Sequence, residues 1–212
     1  MPFVRGPNVQ WGLGNSMMSS WRQRFNSHVP QPPPKRCSVC SSKVQEELHS
    51  CPAFVICCID FRLRDNETCH LNQLGLRDKY DETCTAGASL GYNGFLDYNT
   101  TGTWTTYIDN QIQVSCDLHD ISQIVLVEHA QCGAYAAQYG DIYGLTGNYL
   151  EPDVELKLQI ENLNKAGYAL WAKFNGDTGT IQKIPNLTIV GYQLSIDACT
   201  FTEIYNHAQT PG

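Results

Sequence analysis

No stretch of this chain approaches the roughly 18 to 20 consecutive apolar residues that a membrane-spanning helix requires, and no early apolar run is framed as a secretory leader. No acidic residue occurs before Glu46, although Arg5, Arg22, Arg24, Lys35, Arg36 and Lys43 all precede it. Basic residues are few overall, 14 against 21 acidic ones, and the formal net charge of -7 argues against a general nucleic-acid binder. No internal repeat is present, which excludes a solenoid or propeller. What remains is a chain of 212 residues with ordinary apolar content, enough for one domain with a real core and an appendage.

Cysteine, by contrast, is plentiful at ten residues. In a short secreted chain that number would suggest a disulfide framework. Here several cysteines stand beside His and Asp in metal-like spacings, so an intracellular, reducing compartment is expected, the cytoplasm or an organelle. The basic start fits two readings: an organellar targeting segment, or an arm that docks on an acidic surface such as a neighbouring subunit.

The organisation divides near residue 50: an N-terminal arm and Pro-rich linker over 1–50, then an α/β domain over 51–212. In the arm, Met17, Trp21 and Phe25 share one helical face. A lone helix of that length needs a surface to lie on. Pro30, Pro32, Pro33 and Pro34 then make a stiff, extended linker.

Beyond it, the unbroken apolar run Ala53 to Ile59 predicts a strand buried on both faces, as in a parallel sheet. A helix is expected around 66–75, a weaker strand over 80–85 and a helix within 104–120. A second buried strand is expected over 121–128, a helix opening at Gly133, a long helix over 153–174 and a last strand over 187–194. Strands alternating with helices imply a mainly parallel β-sheet flanked by helices. Ligands of such sheets bind at the carboxyl ends of strands, near a switch in strand order.

Two of those strand ends are chemically unusual. The first reads Cys58-Ile59-Asp60-Phe61-Arg62 and the second His129-Ala130-Gln131-Cys132-Gly133. Two thiolates and an imidazole suit zinc, and three protein ligands leave a fourth position for water, as in catalytic sites. Cys132 is expected at a helix start, where free N–H groups favour a thiolate, with Gly133 permitting a tight turn. Two thiolates cancel the charge of the metal, so such a site acidifies water less than a three-histidine one. Asp60 can accept a hydrogen bond from the activated water, and Arg62 can aim Asp60 and keep it ionised.

Cys-x-Asp-x-Arg at one strand end with His-x-x-Cys at a later one resembles the signature of the β-class carbonic anhydrases. The resemblance covers about residues 53–195 and implies a zinc ion held by Cys58, His129 and Cys132, with an Asp60–Arg62 dyad beside it. It implies reversible hydration of carbon dioxide to bicarbonate, with carbon dioxide and bicarbonate as small-molecule substrates, and homodimers or higher homo-oligomers. It also implies an N-terminal helical arm on the partner subunit, which the Met17, Trp21, Phe25 stripe resembles. Thr85 to Ser89 is similar to the family's Ala-Gly segment after its second strand. The chain departs from the pattern at Phe61, where a small polar residue is usual, and at Ala88, where the family carries Asn. The stretch from Cys58 to His129 is also longer than usual. It therefore resembles a divergent member.

Other readings stand beside this one. A hydrolase for carbon disulfide or carbonyl sulfide shares the same fold and zinc chemistry, and a narrow, apolar access path favours it. Cys58 to Arg64 has the Cys-x5-Arg spacing of a phosphatase loop, but Ile59, Phe61 and Leu63 are bulky and Asp60 repels an anion. A non-catalytic, zinc-stabilised subunit of a larger assembly is a third. Cys57 is expected in the core, Cys69, His70 and Cys84 in packing or on a helix surface, and His119 and His207 in solvent. Cys37, Cys40, His49 and Cys51 are candidates for a second zinc knuckle, in a non-standard spacing.

Overall fold

A computed structural model describes residues 50–95, 103–175, 183–197 and 199–207. The predicted arm and its linker, with Cys37, Cys40 and His49, lie outside the described residues.

The apolar run forms β1 (Ala53–Cys58), buried at every position. The chain continues through α1 (Arg64–Gln73), β2 (Tyr80–Thr85), the single turn α2 (Ser89–Tyr92) and α3 (Thr103–His119). Then come β3 (Gln123–His129), α4 (Gly133–Tyr143), α5 (Pro152–Asn175), β4 (Thr188–Leu194) and β5 (Phe201–Asn206). The five strands make one sheet in the order β2-β1-β3-β4-β5. The first four run parallel and β5 pairs antiparallel with β4. The α/β class with a mainly parallel sheet is therefore present.

Strand β5 corrects the expectation that 187–194 is the last strand. Only six residues separate Leu194 from Phe201, too few for the crossover that a parallel neighbour needs. The return is pinned by Ser195 N–H donating to Thr200 O at 3.0 Å and Thr200 N–H donating to Ser195 Oγ at 3.0 Å. A register shift at Gly191/Tyr192 and partial exposure along β5 blur the two-residue alternation that marks a strand.

Alternate residues of β1 and β3 feed two cores, as period-two side chains must. Phe54, Ile56, Ile124 and Leu126 pack on one face with Ile108 and Ile112 of α3 and Leu163, Leu170 and Phe174 of α5. Ala53, Val55, Cys57, Val125 and Val127 pack on the other with Leu71 of α1. From β1 the chain crosses to β2 on one side and returns to β3 on the other. Strand order therefore reverses between β1 and β3, and the loops leaving their carboxyl ends diverge around a crevice. No helix of the described residues is long and apolar enough to cross a membrane.

Candidate metal centre

Cys58 is the last residue of β1 and His129 the last of β3, on neighbouring strands at that reversal. Cys132 stands immediately before α4, with extended backbone at φ -79 and ψ 120. All three side chains are buried, and their ligand atoms lie within 4.8 Å of one another. The Cys58 and Cys132 sulfurs are 3.9 Å apart. Two zinc–sulfur bonds of about 2.3 Å at a tetrahedral angle span about 3.8 Å, so this separation fits a shared zinc.

The imidazole is oriented for the same purpose. Its Nδ1 donates to Ala130 O at 3.0 Å, which leaves Nε2 to face the crevice. Nε2 is buried and has no hydrogen-bond partner among the described residues; Asp60 Oδ2 lies 3.8 Å away. An orphaned, buried imidazole nitrogen is costly unless something binds it, and a cation is the partner that two neighbouring sulfurs would accept. The donor set, spacing and orphan atom all fit zinc.

Electrostatics support a ligand-ready thiolate. Cys58 is held well below the ordinary thiol value, first by a hydrogen bond from Cys132. Burial opposes this, while His129 and the Gly87 N–H at 3.3 Å reinforce it. Cys132 moves upward because it shares its hydrogen with Cys58, and burial adds to the shift. Burial disfavours charge on His129, but the adjoining Cys58 thiolate, with help from the Ala130 carbonyl, outweighs it and raises the imidazole to about 9. Metal binding displaces the protons held by such a cluster.

Asp60 and Arg62 meet as the sequence predicts. Arg62 Nε and Nη2 donate to the two Asp60 carboxylate oxygens at 2.9 and 2.5 Å, and the Arg62 backbone N–H donates to Oδ1 at 3.0 Å. Burial pushes the Asp60 carboxyl up, but these bonds and the guanidinium charge hold it below its usual value. Arg62 is itself braced by Tyr149 OH at 3.2 Å and Gln131 O at 3.4 Å. Phe61, the departure from the family pattern, is 86% exposed and does not enter the crevice.

The tight turn before α4 is not made by Gly133, as expected. Gln131 takes the left-handed conformation at φ +55, and buried Glu155 of α5 holds it by accepting from the Gln131 and Cys132 N–H groups, both at 2.7 Å. One turn further along α5, Gln159 Nε2 donates to His129 O at 2.9 Å. Sequence reasoning missed both residues. Their signal was two polar side chains, i and i+4, on the buried face of a long helix. At β2, Gly87 has φ +71, and a Cβ there would meet Ala134 Cβ at 3.1 Å, so glycine lets the loop approach Cys58.

Beside the ligands is a small cavity lined by Cys58, Asp60, Leu63, Glu67, Val127, His129 and Leu194. Its volume of about 10 Å³ is room for about one water. Glu67 was also missed. Burial raises it to about 7, and its Oε1 has no hydrogen-bond partner among the described residues.

The other candidates are placed differently. Arg64 does not face Cys58 as a phosphatase loop would require; its Nη1 donates to Cys57 Sγ at 2.8 Å on the opposite face. Cys57 is buried as expected, and Cys84 lies exposed on β2, within the weaker strand expected over 80–85. His119 is bonded rather than merely solvated: Nδ1 is 2.6 Å from Asp81 Oδ2, with Cys51 beside them at the opposite sheet edge. His70 stacks on Phe201, and His207 packs against Trp171.

No family model matches the chain. It is 33% identical over 127 residues to an uncharacterized protein of Rickettsia bellii, covering 60% of this chain and 72% of that one. It is 36% identical over 101 residues to an uncharacterized protein of Rickettsia conorii, covering 47% and 52%. The chain spans about half the length of the second relative. By the extent and identity of the first match, the chain belongs to the family of the Rickettsia bellii protein.

Proposed function

We propose that the chain is a zinc-dependent carbonic anhydrase of the β-class type, hydrating carbon dioxide reversibly to bicarbonate and a proton. The observation that carries this reading is the 3.9 Å Cys58–Cys132 separation beside the orphaned His129 Nε2, with Asp60 fixed 3.8 Å from that nitrogen. Cys58, His129 and Cys132 would hold the metal. When bound, zinc would supply the Lewis acid that lowers the pKa of a water so that it can attack the substrate carbon.

The chain's own residues do the rest. Asp60, kept ionised by Arg62, can only accept hydrogen bonds. A water in the crevice must therefore donate to it, which turns a lone pair toward the substrate. Arg62 cannot swing freely, because Tyr149 and Gln131 O brace its far side. Leu63, Val127 and Leu194 make an apolar wall that suits a small, linear, uncharged substrate and disfavours its charged product.

The same tight apolar wall favours a second reading, hydrolysis of carbon disulfide or carbonyl sulfide. Stopped-flow assays of carbon dioxide hydration and carbon disulfide hydrolysis, run on protein of measured zinc content, separate the two. The expected result is one zinc per chain and carbon dioxide hydration that Asp60→Asn largely abolishes while zinc is retained. Full zinc occupancy with no turnover of either substrate would leave the non-catalytic reading. Unchanged turnover in Asp60→Asn would remove that residue from the mechanism.

A further inference from the structure

A second thiol pair lies back to back with the metal centre and is not used by it. Cys57 of β1 and Cys84 of β2 are direct partners in the parallel register, and their sulfurs stand 3.0 Å apart. Adjacent strands run about 4.8 Å apart, inside the Cα window that a disulfide tolerates. The sulfurs need close only to about 2.05 Å to bond. Cys84 is exposed and reachable by a solute, while Cys57 is buried directly behind it.

Glu82 completes a trio of metal-ligand types here, but two features exclude a zinc ion. Sulfurs sharing one zinc sit about 3.8 Å apart, and these are nearer. The place of a cation is also taken by Arg64. Its Nη1 donates to Cys57 Sγ at 2.8 Å and to Cys84 Sγ at 3.2 Å, and Nη2 pairs with Glu82. A guanidinium beside a thiol favours the thiolate, which is the attacking species in thiol–disulfide exchange.

We propose that Cys57 and Cys84 form a redox-active dithiol that a low-molecular-weight disulfide, such as oxidised glutathione, converts to an intramolecular disulfide. The Cys84 thiolate attacks one sulfur of the oxidant, forming a mixed disulfide and expelling one glutathione thiolate. Cys57 then loses its proton to solvent and attacks Cys84 Sγ, expelling the second glutathione thiolate. The dithiol gives up two electrons and two protons, and one oxidised glutathione becomes two reduced ones. Arg64 is a positioning residue that keeps both sulfurs on one line of approach. Cys57 adjoins Cys58 in β1, so the closed form tightens β1 against β2 beside the metal centre.

The test uses the full chain, equilibrated in buffers of reduced and oxidised glutathione, quenched by alkylation and analysed by intact mass and peptide mapping. The expected product has lost the mass of two hydrogens and joins the Cys57 and Cys84 peptides, in zinc-loaded and chelator-treated protein alike. Arg64→Leu, which removes the guanidinium that holds both sulfurs together, is expected to form it severalfold more slowly. Cys84→Ser is expected to lose the product entirely. The proposal is overturned if both thiols stay alkylatable in excess oxidised glutathione. It is equally overturned if Cys84 halts as a stable mixed disulfide, or if the linked mass persists in Cys84→Ser. Neither thiol is a proposed zinc ligand, so this outcome is independent of zinc binding and of carbon dioxide hydration.

Discussion

Single atoms decide the chemistry of the crevice. Cys57 and Cys58 are neighbours in sequence, yet period-two alternation sends one to the α1 face and the other to the metal centre. The three ligand side chains are buried together, so removing one leaves the others without a common partner. Cys58→Ser, His129→Ala and Cys132→Ser are each expected to lose zinc and to unfold at markedly lower temperature, read by elemental analysis and thermal denaturation. Full zinc occupancy in any of them would overturn the ligand assignment. Glu67 offers a pH test. Burial lifts its folded carboxyl to about 7 from 4.5, so the folded state resists ionisation more than the unfolded chain does. That penalty is absent below about pH 4.5, grows as pH rises toward 7, and is constant above it. Glu67→Gln, which stays neutral, is expected to be more stable than the parent above pH 7 by up to about 3 kcal/mol. The two should converge in acid, as denaturant titrations at several pH values will show.

Elements place those atoms. Strands β1 and β3 carry Cys58 and His129 to the same sheet edge, and α5 reaches across the sheet end to clamp the loop that carries Cys132. Glu155 is the centre of that clamp, accepting two backbone N–H groups at 2.7 Å while buried. Glu155→Ala leaves both donors unpaired, a cost of about 2 to 4 kcal/mol in unfolding free energy measured with denaturant. A loss under about 0.5 kcal/mol would show that water replaces the carboxylate without penalty. Because the loop sets Cys132, zinc affinity is expected to fall in the same variant, which a chelator competition would read. At this scale the sequence was partly legible. The buried strands β1 and β3 and the long helix α5 announce themselves by apolar runs and helical periodicity. β5 does not, because its side chains are half exposed and a bulge breaks the register opposite it.

At the scale of the whole molecule, the order β2-β1-β3-β4-β5 creates the crevice, since only a reversal of winding direction leaves two adjacent strand ends uncovered. The acid-free basic start contrasts with the net negative charge of the chain, and the resemblance to the β-class enzymes implies that it would serve self-association. Deleting residues 1–30 is expected to shift the protein to a smaller species by light scattering. An unchanged oligomer would remove the arm from assembly. Raised ionic strength should act in the same direction as the deletion if charge attraction contributes.

The sequence by itself determined the α/β class and singled out the two strand ends of the candidate site, with Cys58, Asp60, Arg62, His129 and Cys132 as its candidate residues, because apolar runs and close spacings are local properties of the chain. Only the tertiary structure decided that those two ends are neighbours, that His129 presents Nε2, and that Gln131 rather than Gly133 makes the turn. It alone brought Glu67, Glu155 and Tyr149 to the site, and set Cys84 against Cys57. Apart from the His129 ring, which its neighbour Ala130 orients, each of these depends on contacts between residues far apart in the chain, whose partners no local pattern encodes.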